Sequence, residues 1–341
     1  MTDGDRGLLI VVAGILLVGI VAGIPEVSAD ATLVLDGYAE WTRPDALIVD
    51  GQRVIVDRDT KWMGAISTLD AVRPGNAVRV RGVRRPDAVV LARGIDIRPN
   101  GHTLLEDFVQ KGTDDLERLW LRRGEASRTD GDGDAIPLGR VVTGGPAVDR
   151  VKRIATRLAP PYVDQSRLRV YVIDNRDWNA IAMGNGSIWV FRGMLDDMSD
   201  NSLAIVVGHE LVHYTHEHAR RQLQKNLWIQ AGNVAALVAI AAIDSSGWQA
   251  LARLGGVLGF SAWSNQYSRA LEDQADRVGL RYAHEAGFDV SDAPAVWQRF
   301  LDKYGDRDTV TTFFFSDHST AAARRTNLEQ ELRLNYTRGQ D

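Results

Sequence analysis

Two histidines four residues apart, with a glutamate directly after the first, can bind a metal ion and activate a water beside it. His209-Glu210-Leu211-Val212-His213 has that arrangement. On a helix, residues i and i+4 share a face, so both imidazoles can reach one ion while Glu210 projects toward the water. The apolar run Leu203–Val207 precedes the motif, and Ser199 and Asp200 are candidate caps, which predicts a buried helix over 203–219. Two histidines and a glutamate buried without partners would be costly. Metal binding is therefore favoured over a merely structural role.

The third ligand lies elsewhere. One protease class continues its motif as H-x-x-G-x-x-H, but here position 216 is His and position 219 is Ala, which excludes that class. On a continuous helix His216 sits about 10 Å along the axis from His209 and cannot share the ion. His218 is rotated off the stripe. Both are expected at the surface or behind the ligands. Downstream, Asn265–Ala286 has a helical pattern that contains Glu272-Asp273-Gln274-Ala275-Asp276. Glu272 and Asp276 share a face one turn apart. Such a pair can supply an oxygen ligand and a carboxylate that orients a ligating imidazole, and it equally describes a solvated acidic patch. Spacing alone leaves both open.

The stretch from about Gly145 to Leu328 resembles the zinc metallopeptidases that include the CAAX prenyl proteases and the heat-shock protease HtpX, among the HExxH gluzincins. Four pieces carry the likeness: Asn179-Ala180 with Gly184, Gly186, Ile188, Val190 and Arg192-Gly193-Met194-Leu195; the His209–His213 helix with His218; Ser268-Arg269, Glu272, Ala275-Asp276 and Gly279; and His318, Thr320 and Arg324. Ser319 departs from the pattern, which has proline there. The resemblance implies one zinc ion held by His209, His213 and Glu272, with Glu210 as general base. It implies that Asp276 and Arg324 stand behind the ligands and that Asn179 and His318 help stabilise the tetrahedral intermediate. It also implies that an edge strand at Asn179 and Ala180 pairs with the substrate backbone. Three protein ligands leave a fourth position for water, as catalysis needs.

These residues need elements to hold them. The 341-residue chain suits about two domains and, at 45% hydrophobic and 25% charged, is expected to fold. It has no cysteine, which removes disulfides, thiolate catalysis and cysteine-based metal sites. A net charge of -5 argues against nucleic acid as a partner. From Thr32 to Arg98 short alternating strands predict a small OB-like β-barrel. Ala46–Val49 and Val54–Val56 flank Asp50-Gly51, a strong hairpin signal. Residues 30–98 hold 11 basic and 10 acidic side chains and few aromatics, so neither a basic groove nor a stacking platform for single strands is evident. A spacer or protein-contact module is expected. Residues 101–145 read as a helix, Leu104–Arg122, followed by a flexible acidic linker. Asp130, Asp132 and Asp134 begin like a calcium loop, but Ala135 stands where glycine is required.

Gly7–Ile24 is an uncharged run of 18 residues, expected to anchor the chain in a membrane, or to be a signal peptide cleaved after Ala29. Arg6 precedes it, and the next basic residue is Arg43, which predicts a cytoplasmic terminus and an extracytoplasmic body on a bacterial-type cell membrane. A second apolar run, Leu227–Ile243, is expected to form a buried or membrane-facing helix. The expected organisation is an anchor or signal (1–29), an all-β module (30–100), a helix and linker (101–145) and a mainly helical zincin-type domain with a small edge sheet (146–335), an α+β chain. The expected function is zinc-dependent endopeptidase action on misfolded or membrane-associated proteins. The alternative is a chaperone-like or regulatory binding protein with a structural zinc site.

Overall fold

The computed structural model of the chain describes residues 32–43, 45–98, 104–129, 135–222, 267–305 and 321–336. The expected anchor at 7–24, the run 227–243 and His318 lie outside the described residues. Among the described residues no helix is long and apolar enough to cross a membrane.

Strands β1 (Thr32–Arg43), β2 (Ala46–Val49), β3 (Gln52–Ile55), β4 (Lys61–Met63), β5 (Ala77–Arg84) and β6 (Val90–Arg98) form one sheet in the order β3-β2-β1-β5-β6-β4. A parallel β3–β6 pairing closes it into a barrel. Period-two alternation builds the interior: in β5, Val78 and Val80 are buried while Arg79 and Arg81 point out. Leu47, Val49, Val54, Ile95 and Ile97 complete the barrel core. The β2–β3 hairpin turns on Asp50 (φ 44°) and Gly51 (φ 79°). Both are left-handed, as a two-residue turn matched to strand twist requires.

Helix α1 (Leu104–Arg123) leads into a second sheet, where the linker expectation is corrected. β7 (Glu125–Thr129) and β8 (Ala135–Val142) form a hairpin that extends a five-stranded sheet, β10-β11-β9-β8-β7. β9 is Arg169–Asp174, β10 is Ala180–Ala182 and β11 is Ser187–Phe191. Glycine, proline and charge disguise β8, whose pairing with β9 is long-range. Pro137 faces Ser127 beside a bulge on an edge pair, where a missing N–H is tolerated.

β11 is buried throughout, because both faces of the sheet are covered. Trp189 and Phe191 pack toward Trp120 of α1. Ile188 and Val190 pack toward α2 (Pro146–Leu158) and α4 (Asp200–Thr215), which follows the short α3 (Arg192–Asp197). Helices α5 (Arg269–Glu285), α6 (Ala293–Tyr304) and α7 (Ala321–Asn335) complete the helical layer. A buried polar cluster ties α1 to the sheet. Glu117 accepts both guanidinium nitrogens of Arg169 (2.7 and 2.6 Å), the Tyr171 hydroxyl (2.8 Å) and the Asn185 amide (2.6 Å). Burial raises the Glu117 pKa, but these donors outweigh it and hold the carboxyl below its ordinary value.

Candidate metal centre

α4 is buried on all sides from Ser202 to His213, so it forms the centre of the helical layer and not its surface. Ser199 caps it by accepting the Ser202 amide at 3.2 Å, as the capping signal predicts. α5 crosses it where Gly208 meets Gly279, which sets Glu272 and Asp276 against the face that carries His209 and His213. Nε2 of His209 and Nε2 of His213 lie 3.0 Å apart. The Glu272 carboxylate oxygens lie 3.5 Å from His209 Nε2 and 3.6 Å from His213 Nε2. Tetrahedral zinc with bonds of ~2.0–2.1 Å would hold its ligands roughly 3.3–3.4 Å apart. The donor set fits: two imidazoles and one carboxylate converge in a buried space, and these three residues form the group among the described residues that could hold a metal ion.

The groups behind the ligands are also in place. Asp276 Oδ1 is 2.9 Å from His209 Nδ1, the outer ring nitrogen, while Nε2 faces the cluster. Arg324 reaches in from α7. Its Nε lies 3.0 Å from Asp276 Oδ2, and its Nη2 is 2.5 Å from Asp276 Oδ1 and 2.6 Å from His209 Nδ1. The guanidinium stacks on Trp297 of α6 at 3.5 Å from the ring centre. Arg324 is fully buried, which a lone cation would not tolerate.

Glu210 turns from the ligand cluster toward the sheet, where its Oε2 accepts the backbone N–H of Ala182 at 3.1 Å. β10 is the edge strand. The Asn179 carbonyl accepts from Phe191, and the Met183 amide donates to Ser187, so these residues bond inward to β11. Alternation turns the backbone of Ala180 and Ala182 outward. The Asn179 side chain is 2% exposed, and its amide has no hydrogen-bond partner among the described residues.

His216 and His218 are not at the surface; both are fully buried. His216 bonds Thr215 through Nδ1, and burial, aided by the charge of Arg221, pushes its pKa down to about 3. The helical path breaks after His216 at Glu217, whose φ is 51°. That break returns His218 to the site. Its Nδ1 lies 2.9 Å from His213 Nδ1, and its Nε2 lies 3.1 Å from the Gln274 carbonyl oxygen. Gln274, midway between Glu272 and Asp276 on α5, carries no metal-site signal in the sequence.

Residues 148–332, more than half of the chain, match peptidase family M48. The chain belongs to peptidase family M48. This family implies zinc, and His209, His213 and Glu272 suit that ion. Residues 36–96 match a domain of unknown function, DUF5666. The chain is similar to the bovine mitochondrial metalloendopeptidase OMA1, with 32% identity over 41% of this chain and 27% of that protein. It is similar to the metalloprotease LoiP of Escherichia coli, with 28% identity over 46% of this chain and 60% of that protein. It is also 30% identical to a putative beta-barrel assembly-enhancing protease of Vibrio cholerae, over 39% of this chain and 28% of the relative. The chain thus spans between about a quarter and three fifths of these M48 relatives.

Proposed function

We propose that the chain is a zinc-dependent endopeptidase in which His209, His213 and Glu272 hold the metal and Glu210 is the general base. The observation that carries this is the placement of Glu210: it stands beside the ligand cluster without joining it, anchored to the edge-strand amide of Ala182. A structural zinc site needs no such carboxylate, so the chaperone-like alternative is disfavoured. When bound, zinc supplies Lewis acidity that lowers the pKa of a water and polarises the scissile carbonyl. Glu210 takes the proton of the attacking water and delivers it to the departing amine. The outward backbone of Ala180 receives an extended substrate strand, as sheet-edge recognition does. Asn179 donates its amide to the developing oxyanion, a role supported by its burial without a competing partner.

The substrates are misfolded or membrane-associated proteins, and the chain is held to a bacterial-type membrane by residues 7–24 with its body outside the cytoplasm. The apolar run at 7–24 and the relative named as a beta-barrel assembly-enhancing protease support this reading. The experiment is Glu210→Gln. It should abolish peptide hydrolysis while one zinc per chain is retained, and substrates trapped on the inactive protein are then identified by mass spectrometry. Loss of zinc together with activity would overturn the assignment of Glu210.

A further inference from the structure

We infer that the barrel is part of the metal centre: through Gln274 and His218, its residues Glu40 and Asp50 set the tautomer of the ligand His213. This rests on the metal-site reading above.

The chain of contacts is continuous. The Gln274 amide nitrogen donates to Glu40 Oε1 at 2.9 Å and to Asp50 Oδ1 at 3.0 Å. Both acceptors belong to the barrel, Glu40 to β1 and Asp50 to the β2–β3 turn. The Gln274 carbonyl oxygen accepts from Arg221 Nη1 at 2.6 Å and lies 3.1 Å from His218 Nε2. His218 Nδ1 then faces His213 Nδ1 at 2.9 Å. Gln274, His218 and Glu40 are each at most 1% exposed.

Donor and acceptor logic gives the sequence a direction. An ionised carboxylate only accepts and a guanidinium only donates. Two carboxylates on one end and Arg221 on the other therefore pin the Gln274 amide one way round. Its oxygen faces His218, so His218 carries its proton on Nε2. The bare His218 Nδ1 must then accept from His213 Nδ1–H. A histidine protonated on Nδ1 keeps the lone pair on Nε2, the atom that faces His209 and Glu272. For His209 the outer carboxylate, Asp276, is in direct contact. For His213 the fixing charge comes from the barrel.

The docking surface holds this geometry. Arg277 donates to Glu40 at 2.6 Å, Arg221 stacks on Tyr38 at 3.5 Å and Arg281 lies over Trp41 at 4.9 Å. Removing an outer partner of a ligating histidine costs about 10–100-fold in metal affinity.

The test uses the full chain with zinc alone. Affinity is measured by chelator competition, and histidine tautomers are read from ring nitrogen shifts of protein labelled in its histidines. The wild type should bind one zinc, with His213 protonated on Nδ1 and His218 on Nε2. Gln274→Met keeps the volume and removes the polar links. It should lower zinc affinity about 10–100-fold and mix the His218 tautomers. Glu40→Gln combined with Asp50→Asn keeps shape but lets the Gln274 amide turn round, and should cost about 10-fold. Arg79→Ala, on the outer face of β5 where the side chain pairs with Asp36, should leave affinity unchanged. If both tautomers and affinity in Gln274→Met and in the double variant match the wild type, the inference is wrong. If Gln274→Met does not fold, the isosteric double variant decides alone. Absence of zinc binding in the wild type would instead remove the metal-site reading.

Discussion

Gly208 of α4 and Gly279 of α5 meet backbone to backbone. A Cβ on Gly279 would fall 2.6 Å from the His209 amide nitrogen, and one on Gly208 would fall 2.8 Å from the Gly279 carbonyl oxygen. No rotamer can relieve contacts between main chains. The pair sets the closest approach of the two helices, and with it the reach of Glu272 to both imidazoles. Gly279→Ala should therefore destabilise the fold by roughly 1–3 kcal/mol or more. It should also lower zinc occupancy even where the protein remains folded. Thermal melting and metal analysis of the purified variant check both effects, and full occupancy would show that α5 can shift without losing its ligand.

Glu272 and Asp276 are one turn apart but should separate in experiment. Glu272→Ala should strip most of the zinc, whereas Asp276→Ala should weaken binding about 10–100-fold, since Asp276 acts on His209 and not on the ion. Asp276→Ala also leaves Arg324 buried beside one fewer carboxylate, so its melting temperature should fall further than that of Glu272→Ala. Chelator titration and calorimetry distinguish the two; retention of zinc by Glu272→Ala would send the search to another carboxylate.

His216 predicts an acid-side loss of stability. Its folded pKa is depressed to about 3, with burial the first cause and the Arg221 charge the second, while the unfolded value is about 6.5. The unfolded chain thus binds more protons between those values, so stability is fully present above about pH 6.5 and falls as the pH drops. At pH 5 the loss should be on the order of 2 kcal/mol relative to neutral pH. His216→Gln should remove that part of the slope in denaturant melts from pH 7 to 5; an unchanged slope would mean that other groups produce it.

His318 should act only on developing charge. Its loss should depress kcat by about 10²–10³ with KM nearly unchanged. Zinc content should stay the same. Arg324, six residues on, is anchored on Asp276, which brings the start of α7 to the metal site and favours a role for the segment before it. Steady-state kinetics of His318→Ala check this, and wild-type turnover would make His318 a bystander.

His209, Glu210 and His213 are legible in the sequence because their relation is local: helical periodicity alone puts two rings on one face. The barrel hairpin is legible for the same reason, since Asp50-Gly51 demands left-handed backbone that few other pairs adopt. Glu272 is ambiguous by spacing, as any two acidic residues one turn apart are, and resemblance to a family was needed to choose it. β7 and β8 look like linker because Pro137, Gly139 and Arg140 interrupt the apolar pattern of β8 and its pairing with β9 is long-range. His218 and Gln274 depend on tertiary structure still more. A single left-handed residue, Glu217, turns His218 back toward His213, and Gln274 gains its place only when a barrel over two hundred residues earlier in the chain docks against α5. Local periodicity records which side chains share an element. Which elements meet, and which polar atoms must then find partners in the buried seam, is decided only when the packed fold excludes water from between them.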